Sequence, residues 1–85
     1  MNYRIDILKR AEKDILALSP NMRRRVAEKI YKFKENPFPA ASKRLKGGLV
    51  GYRLRVGDWR VFYTVDEDSR TVVISAVKHR REAYR

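Results

Sequence analysis

Hydrophobic positions along this chain switch from a period of two to a helical period and back. Tyr3, Ile5 and Ile7 alternate with Arg4 and Asp6, which predicts a short first strand. From about Lys9 the period lengthens. Leu8, Ala11, Ile15 and Leu18 share one face, with Lys9, Arg10, Glu12, Lys13 and Asp14 outside it. Ser19-Pro20 closes this helix and opens a second, as a capping serine followed by a proline at the first helical position. Met22, Val26, Ile30 and Phe33 form the stripe of the second helix. Arg23, Arg24, Arg25, Lys29, Lys32 and Lys34 cover its other faces. The short link makes the two helices antiparallel neighbours. Asn36-Pro37-Phe38-Pro39 stops the second one, because neither proline can continue a helix.

Residues 40–48 read as a loop, with Leu45 as its anchor in the core. Strict alternation then returns. Tyr52, Leu54 and Val56 alternate with Arg53 and Arg55; Trp59, Val61 and Tyr63 alternate with Arg60 and Phe62. Gly57-Asp58 between them is a two-residue hairpin turn. That turn sets a register of Val56 with Trp59, Arg55 with Arg60, Leu54 with Val61 and Arg53 with Phe62. One face of the hairpin is then apolar or aromatic, and the six residues on it are expected to face the helices as core. The other face gathers three arginines and Phe62. Asp66 to Arg70 is a second turn, its acids better explained as turn residues than as metal ligands. Thr71–Val77 is a β-branched strand expected to be central. The expected architecture is an α+β domain spanning residues 1–85, ordered β-α-α-β-β-β. Its two-helix hairpin packs on one face of a mainly antiparallel four-stranded sheet.

Charge changes the picture. The chain of 85 residues carries 21 Lys and Arg against 10 Asp and Glu, a net charge of +11. An excess this large, arranged on faces, points to a polyanionic partner. A membrane surface fits poorly, since no segment joins a basic face to exposed Trp, Phe and Leu. Nor does any apolar run approach a membrane span or a signal sequence. There is no cysteine, which excludes disulfides, thiolate nucleophiles and thiolate metal sites and suits a cytoplasmic location.

The candidate chemistry joins three segments: Arg53, Arg55 and Arg60 from the hairpin; Lys43, Arg44 and Lys46 before it; Lys78, His79, Arg80, Arg81 and Tyr84 after the last strand. Guanidinium groups hold phosphate bidentately. Phe62 and Tyr84 can stack bases, which suits single-stranded RNA. Arginine stays protonated, so His79 is the side chain whose ordinary titration suits proton transfer near neutrality. A histidine near a chain end is equally read as a simple exposed residue, and Arg80-Arg81 as a solvated end.

The hairpin YRLRVGDWRVFY, the preceding KRLKGG and the terminal KHRREAY are similar to the RelE/ParE superfamily of toxins from toxin–antitoxin systems. The resemblance spans nearly the whole chain and is strongest to RelE-like members. It implies a type II toxin that cleaves mRNA on the ribosome, with no metal or other cofactor, by attack of a ribose 2′-hydroxyl on the adjacent phosphate. The alternatives it leaves are a ParE-like inhibitor of DNA gyrase and a non-catalytic RNA-binding relative. By position, the catalytic set it implies is Lys46, Arg53, Arg55, Arg60, His79 and Tyr84, with Tyr84 stacking on a base. Lys43, Arg44, Phe62, Lys78, Arg80 and Arg81 would bind RNA around them. One departure is that both basic positions of the first hairpin strand are arginine, where many relatives have a lysine able to act as base. The implied partners are a cognate antitoxin with an acidic or amphipathic segment, the ribosome and mRNA. The basic face of the second helix is either solvated or a docking surface for ribosomal RNA or antitoxin.

Overall fold

The computed structural model describes residues 2–82. Its elements are β1 (Arg4–Ile7), α1 (Lys9–Leu16), α2 (Pro20–Lys32), β2 (Ser42–Arg44), β3 (Tyr52–Val56), β4 (Trp59–Asp66) and β5 (Thr71–His79). They form one sheet in the order β1-β5-β4-β3-β2, with β1 parallel to β5 and every other pair antiparallel. The sheet therefore has five strands where the pattern predicted four. The extra strand is β2, inside the segment expected to be a loop. Its Ser42, Lys43 and Arg44 pair with Leu54, Arg53 and Tyr52. Three polar residues carry no alternation of their own. What makes them a strand is the hydrogen-bonding edge of β3, together with the Tyr63 hydroxyl bonded to the Ser42 hydroxyl.

The hairpin register is the one the Gly57-Asp58 turn sets: Val56↔Trp59, Arg55↔Arg60, Leu54↔Val61 and Arg53↔Phe62. Gly57 has φ 61°, the left-handed geometry required at the first central position of a II′ turn. Gly51 is constrained more severely. Its φ is 115°, and a Cβ there would lie 2.7 Å from the Tyr63 carbonyl oxygen. Ser19 caps α2 as expected, its Oγ accepting the Met22 N–H at 3.3 Å. Burial follows the stripes except at Leu8, which is exposed, and at Ile15 and Met22, which are half-buried. Ala11, Leu18, Val26, Ile30 and Phe33 from the helical layer meet Leu54, Val56, Val61, Tyr63, Val72, Ile74 and Val77 from the sheet. Tyr52 and Trp59 face the helices too but are only half-buried, although their rung partners Tyr63 and Val56 are fully buried. Leu45 is half-buried and outside the core cluster, so it does not anchor the loop there as expected.

β5 reaches two residues beyond its predicted end, to His79. Its far edge explains how. β1 covers that edge only from Thr71 to Ile74. Beyond it, α1 takes over with side chains. Arg10 Nε donates to the Ser75 carbonyl at 2.9 Å, and Asp14 Oδ2 accepts the Val77 N–H at 2.9 Å. A helix thus satisfies backbone groups that a sixth strand would otherwise have to pair.

Candidate nucleic-acid interface

Cross-strand partners point to the same side of a sheet, so the register sorts every candidate residue. Two rungs open away from the helices. One runs Lys43–Arg53–Phe62–Ala76, the other Arg55–Arg60–Lys78. Six of the residues singled out by sequence are therefore brought onto one face: Lys43, Arg53, Arg55, Arg60, Phe62 and Lys78. Opposed side chains on such rungs have Cβ atoms about 4.5–5.5 Å apart, and like charges there repel.

Neither Arg55 nor Arg60 has its charge met by a carboxylate among the described residues. Arg55 Nε donates to the Gly57 carbonyl at 3.3 Å, and Arg60 Nη1 to the Trp59 carbonyl at 3.2 Å. Arg60 is half-buried, and its Nε is buried with no hydrogen-bond partner. A buried donor with no protein acceptor is destabilising and open to an incoming one. Phe62 lies one row away, between Arg53 and Ala76, and offers the face an apolar platform.

Lys78 differs from Arg55 and Arg60. Its Nζ reaches round the sheet edge to Asp14 Oδ1 at 3.5 Å. Asp14 thus serves the Val77 backbone and the Lys78 ammonium with its two oxygens. Sequence reading placed Asp14 outside the α1 stripe. Its spacing to Ala11, Ile15 and Leu18 is also that of the buried face, and a carboxylate there needs a partner. Asp14→Ala should lower stability by roughly 1–3 kcal/mol, the cost of stranding a buried N–H. Asp14→Asn, which keeps the acceptor, should lose clearly less. Thermal denaturation of the pair checks this, and equal losses would show that the charge matters rather than the hydrogen bond.

The remaining candidates lie elsewhere. His79 pairs with Trp59 on the helix-facing side, at the last rung, with ring centroids 5.2 Å apart and planes at 89°. Its Nδ1 accepts the Arg81 N–H at 3.3 Å, which assigns the proton of the neutral ring to Nε2. His79 therefore borders the arginine rung round the end of the sheet and does not lie within it. Arg80 is held beside the hairpin turn: its N–H donates to the Asp58 carbonyl at 2.8 Å, and its Nε lies 4.0 Å from Asp58 Oδ1. Arg81 follows in an exposed turn. Arg44 pairs with Tyr52 on the helix-facing side, its guanidinium 5.8 Å from the Tyr52 ring centroid, so it does not join the open face. Lys46 sits in the loop between β2 and β3, at the end of β3 opposite the Gly57-Asp58 turn, and the fold does not bring it to Arg55 and Arg60. Tyr84 lies outside the described residues.

The acids of the second turn serve local structure. Asp66 Oδ1 accepts the Asp68 and Ser69 N–H groups at 3.0 and 3.3 Å, and Glu67 Oε1 accepts the Tyr3 hydroxyl at 2.5 Å. Among the described residues no three His, Cys, Asp or Glu gather closely enough to hold a metal ion. No helix among them is long and apolar enough to cross a membrane.

Residues 5–84 match the family of ParE toxins of type II toxin–antitoxin systems, parDE. The chain belongs to the RelE/ParE superfamily of toxins. RelE1 of Methanocaldococcus jannaschii is 38% identical over 88 aligned residues, covering 100% of this chain and 98% of that protein. Toxin RelG of Mycobacterium tuberculosis is 30% identical over 86, covering 100% and 99%. The archaeal RelE of Pyrococcus horikoshii, solved in complex with RelB, superposes with a TM-score of 0.84 at 31% identity, covering 98% of this chain and 100% of that one. This is a RelE-like toxin of a type II system. The five-stranded sheet under two helices is the RelE-like α+β fold. In this toxin the open rungs carry arginine at both strand positions, Arg53 and Arg55, and again at Arg60.

Proposed function

We propose that this toxin is a metal-independent endoribonuclease acting on mRNA in the ribosome, and that its arginine face binds the scissile phosphate. The observation that carries this is the Arg55–Arg60 rung, two uncompensated guanidinium groups held opposite each other with one donor buried and unmatched. Such a rung is unfavourable in the free protein and favourable around a dianionic phosphorane. In the reaction the ribose 2′-oxygen loses its proton and bonds to phosphorus. The P–O5′ bond breaks and the 5′-oxygen gains a proton, leaving a 2′,3′-cyclic phosphate and a free 5′-hydroxyl. Arg53, Arg55 and Arg60 stabilise the developing charge. Phe62, and Tyr84 at the chain end, stack bases so that the 2′-oxygen lies in line with the bond that breaks. His79 Nε2, at the rim of the face, is the proton carrier in this reading, and Lys46 contacts RNA further along the strand. Lys43, Arg80 and Arg81 extend the RNA-binding surface in the cytoplasm, whereas Arg44 lies on the helix-facing side and Lys78 is engaged by Asp14. An antitoxin segment, acidic or amphipathic, neutralises the toxin by covering it, as the RelB partner of the horikoshii protein suggests.

The test is single-turnover cleavage of ribosome-bound mRNA, with chelator present and across pH, with 5′ ends mapped. Cleavage should persist in chelator, and log affinity for ribosomes should fall steeply with log salt as counterions are released. His79→Ala should flatten the pH–rate profile near neutrality. An unchanged profile assigns the proton step to a lysine, the tyrosine hydroxyl or the ribosome. The family match to ParE toxins favours one second reading, inhibition of DNA gyrase. Loss of gyrase supercoiling activity with intact mRNA would replace the first reading by the second.

A further inference from the structure

The last rung on the helix-facing side runs Val56–Trp59–His79 and joins the single tryptophan of the chain to its single histidine. Both are half-buried. Trp59 packs against the core, and its ring also meets the imidazole at 5.2 Å and 89°. The turn that follows is tied down beside them. The Asp58 carbonyl accepts the Arg80 N–H at 2.8 Å, and the His79 carbonyl accepts the Glu82 N–H at 2.8 Å. Two contacts hold the imidazole, the Trp59 ring and the Arg81 N–H on Nδ1, and they differ in kind. The hydrogen bond needs a lone pair on Nδ1, so it exists only while that nitrogen is unprotonated. The ring contact has no such requirement, and an aromatic face attracts a cation. Nε2 is engaged by neither. The charged groups at this end of the sheet are Asp58 and Arg60 of the hairpin, Arg80 and Arg81 of the turn, and Arg25 of α2 beside Gly57. No carboxylate orients the ring: Asp58 lies 4.0 Å from Arg80 Nε, and His79 forms no ion pair among the described residues.

From this we infer that Trp59 is the positioning residue for His79, the group that keeps the imidazole in place while its charge changes. A proton carrier passes through both protonation states in every turnover. When the ring is charged, Nδ1 bears a proton, the Arg81 hydrogen bond is lost and the turn after β5 loosens. The Trp59 contact is the one that remains, and tryptophan offers the aromatic face that holds a cation best. It keeps Nε2 at the rim of the arginine face through the whole cycle. Fixing the ring in this way matters for rate, because a displacement of about 1 Å in a reacting group can cost about 10²-fold. This rests on His79 as the proton carrier of the proposed reaction, but the order of the ring is measured without cleavage.

The experiment compares Trp59→Phe, which keeps an aromatic face, with Trp59→Leu and Trp59→Met, which remove it, each checked for folding by circular dichroism. NMR relaxation of labelled histidine reads the order of the ring in its neutral and charged states. Single-turnover cleavage of ribosome-bound mRNA is followed across pH. The parent ring should be ordered in both states. In the two variants without the aromatic face it should stay ordered when neutral and become mobile when charged, and cleavage should slow roughly ten- to a hundredfold. Trp59→Phe should stay within a few-fold of the parent in rate. Added to His79→Ala, Trp59→Leu should cost little more, because the two residues act as a unit. A charged ring as ordered in Trp59→Leu and Trp59→Met as in the parent would overturn the inference. So would a loss from Trp59→Leu of equal size with and without His79, which marks a purely structural residue. Normal cleavage by His79→Ala, with the charged ring loosened in Trp59→Leu, would sink the proton-carrier reading while leaving Trp59 as the residue that holds the ring.

Discussion

Arg60→Ala should slow cleavage of ribosome-bound mRNA by about a hundredfold or more while leaving the melting temperature within a few degrees of the parent. Removing one preorganised donor to a developing oxyanion typically costs 10²–10³ in rate, roughly 2.7–4 kcal/mol of transition-state stabilisation. The stability side has two opposing parts. Truncation removes a charge opposite Arg55 and a buried Nε that has no partner, both of which favour the variant. It also removes the packed stem of a half-buried side chain, which disfavours it. Arg60→Lys should recover only part of the rate, because it restores the charge without the planar fork. A variant that melts several degrees lower and cleaves at the parental rate would show Arg60 to be a structural residue.

Phe33→Ala should be the most damaging single truncation in the core. Phe33 is 1% exposed, ends α2, and packs its ring 4.3 Å from that of Tyr63. Next to it the Lys34 carbonyl accepts the Tyr3 N–H at 2.7 Å, so the same turn also positions the chain entering β1. Truncating a buried Phe costs about 3–5 kcal/mol, which for a domain of this size means a melting temperature lower by roughly 12–40 °C. Total stabilities are about 5–15 kcal/mol, so the variant should be partly unfolded at growth temperature. Phe33→Leu should recover most of the loss. A parental melting curve for Phe33→Ala would mean that α2 contributes little to the core. The neighbouring Tyr63 adds a pH signature. Burial pushes its phenol above the ordinary value, so the native state resists ionisation. Stability is therefore full below the unfolded phenol's pKa and is lost as pH rises through the alkaline range, where the unfolded phenol ionises first.

Much of this was legible in the sequence, and the exceptions share a cause. Alternation fixed the hairpin register and the sorting of its two faces, because side-chain direction in a strand has period two. The helical stripes of Ala11–Leu18 and Met22–Phe33 were equally plain. What escaped was set by contacts distant in the chain. Ser42–Arg44 becomes a strand through the β3 edge, not through any preference of its own. β5 runs on to His79 because Asp14, 63 residues earlier, accepts the Val77 N–H. The extra residue of β5 between its Ala76 and Ile74 pairings shifts the register at Phe62/Tyr63, and nothing in the alternation of β4 announces it. The candidate site was legible as a composition but not as a place. Lys43, Arg53, Arg55, Arg60, Phe62 and Lys78 share a face, whereas Arg44 and His79 fall on the other by parity, and Lys46 falls at the far end.

The parallel pairing of β1 with β5 has a consequence for synthesis. Arg4 must find Thr71, and the strand between β1 and β4 is β5 itself. Closing so long a loop is entropically slow and cannot begin before Thr71–His79 has been made. Until then β1 has no partner, α1 has no edge to cover, and Arg60 lacks its neighbour Lys78. A nascent chain stalled within β4 therefore cannot present the assembled basic face, however much of the hairpin it holds. The same dependence makes the turn at Asp66–Arg70 the junction at which a circularly permuted or split version of this protein should be cut. The two pieces would then be inert apart and would become a toxin when β5 docks between β1 and β4.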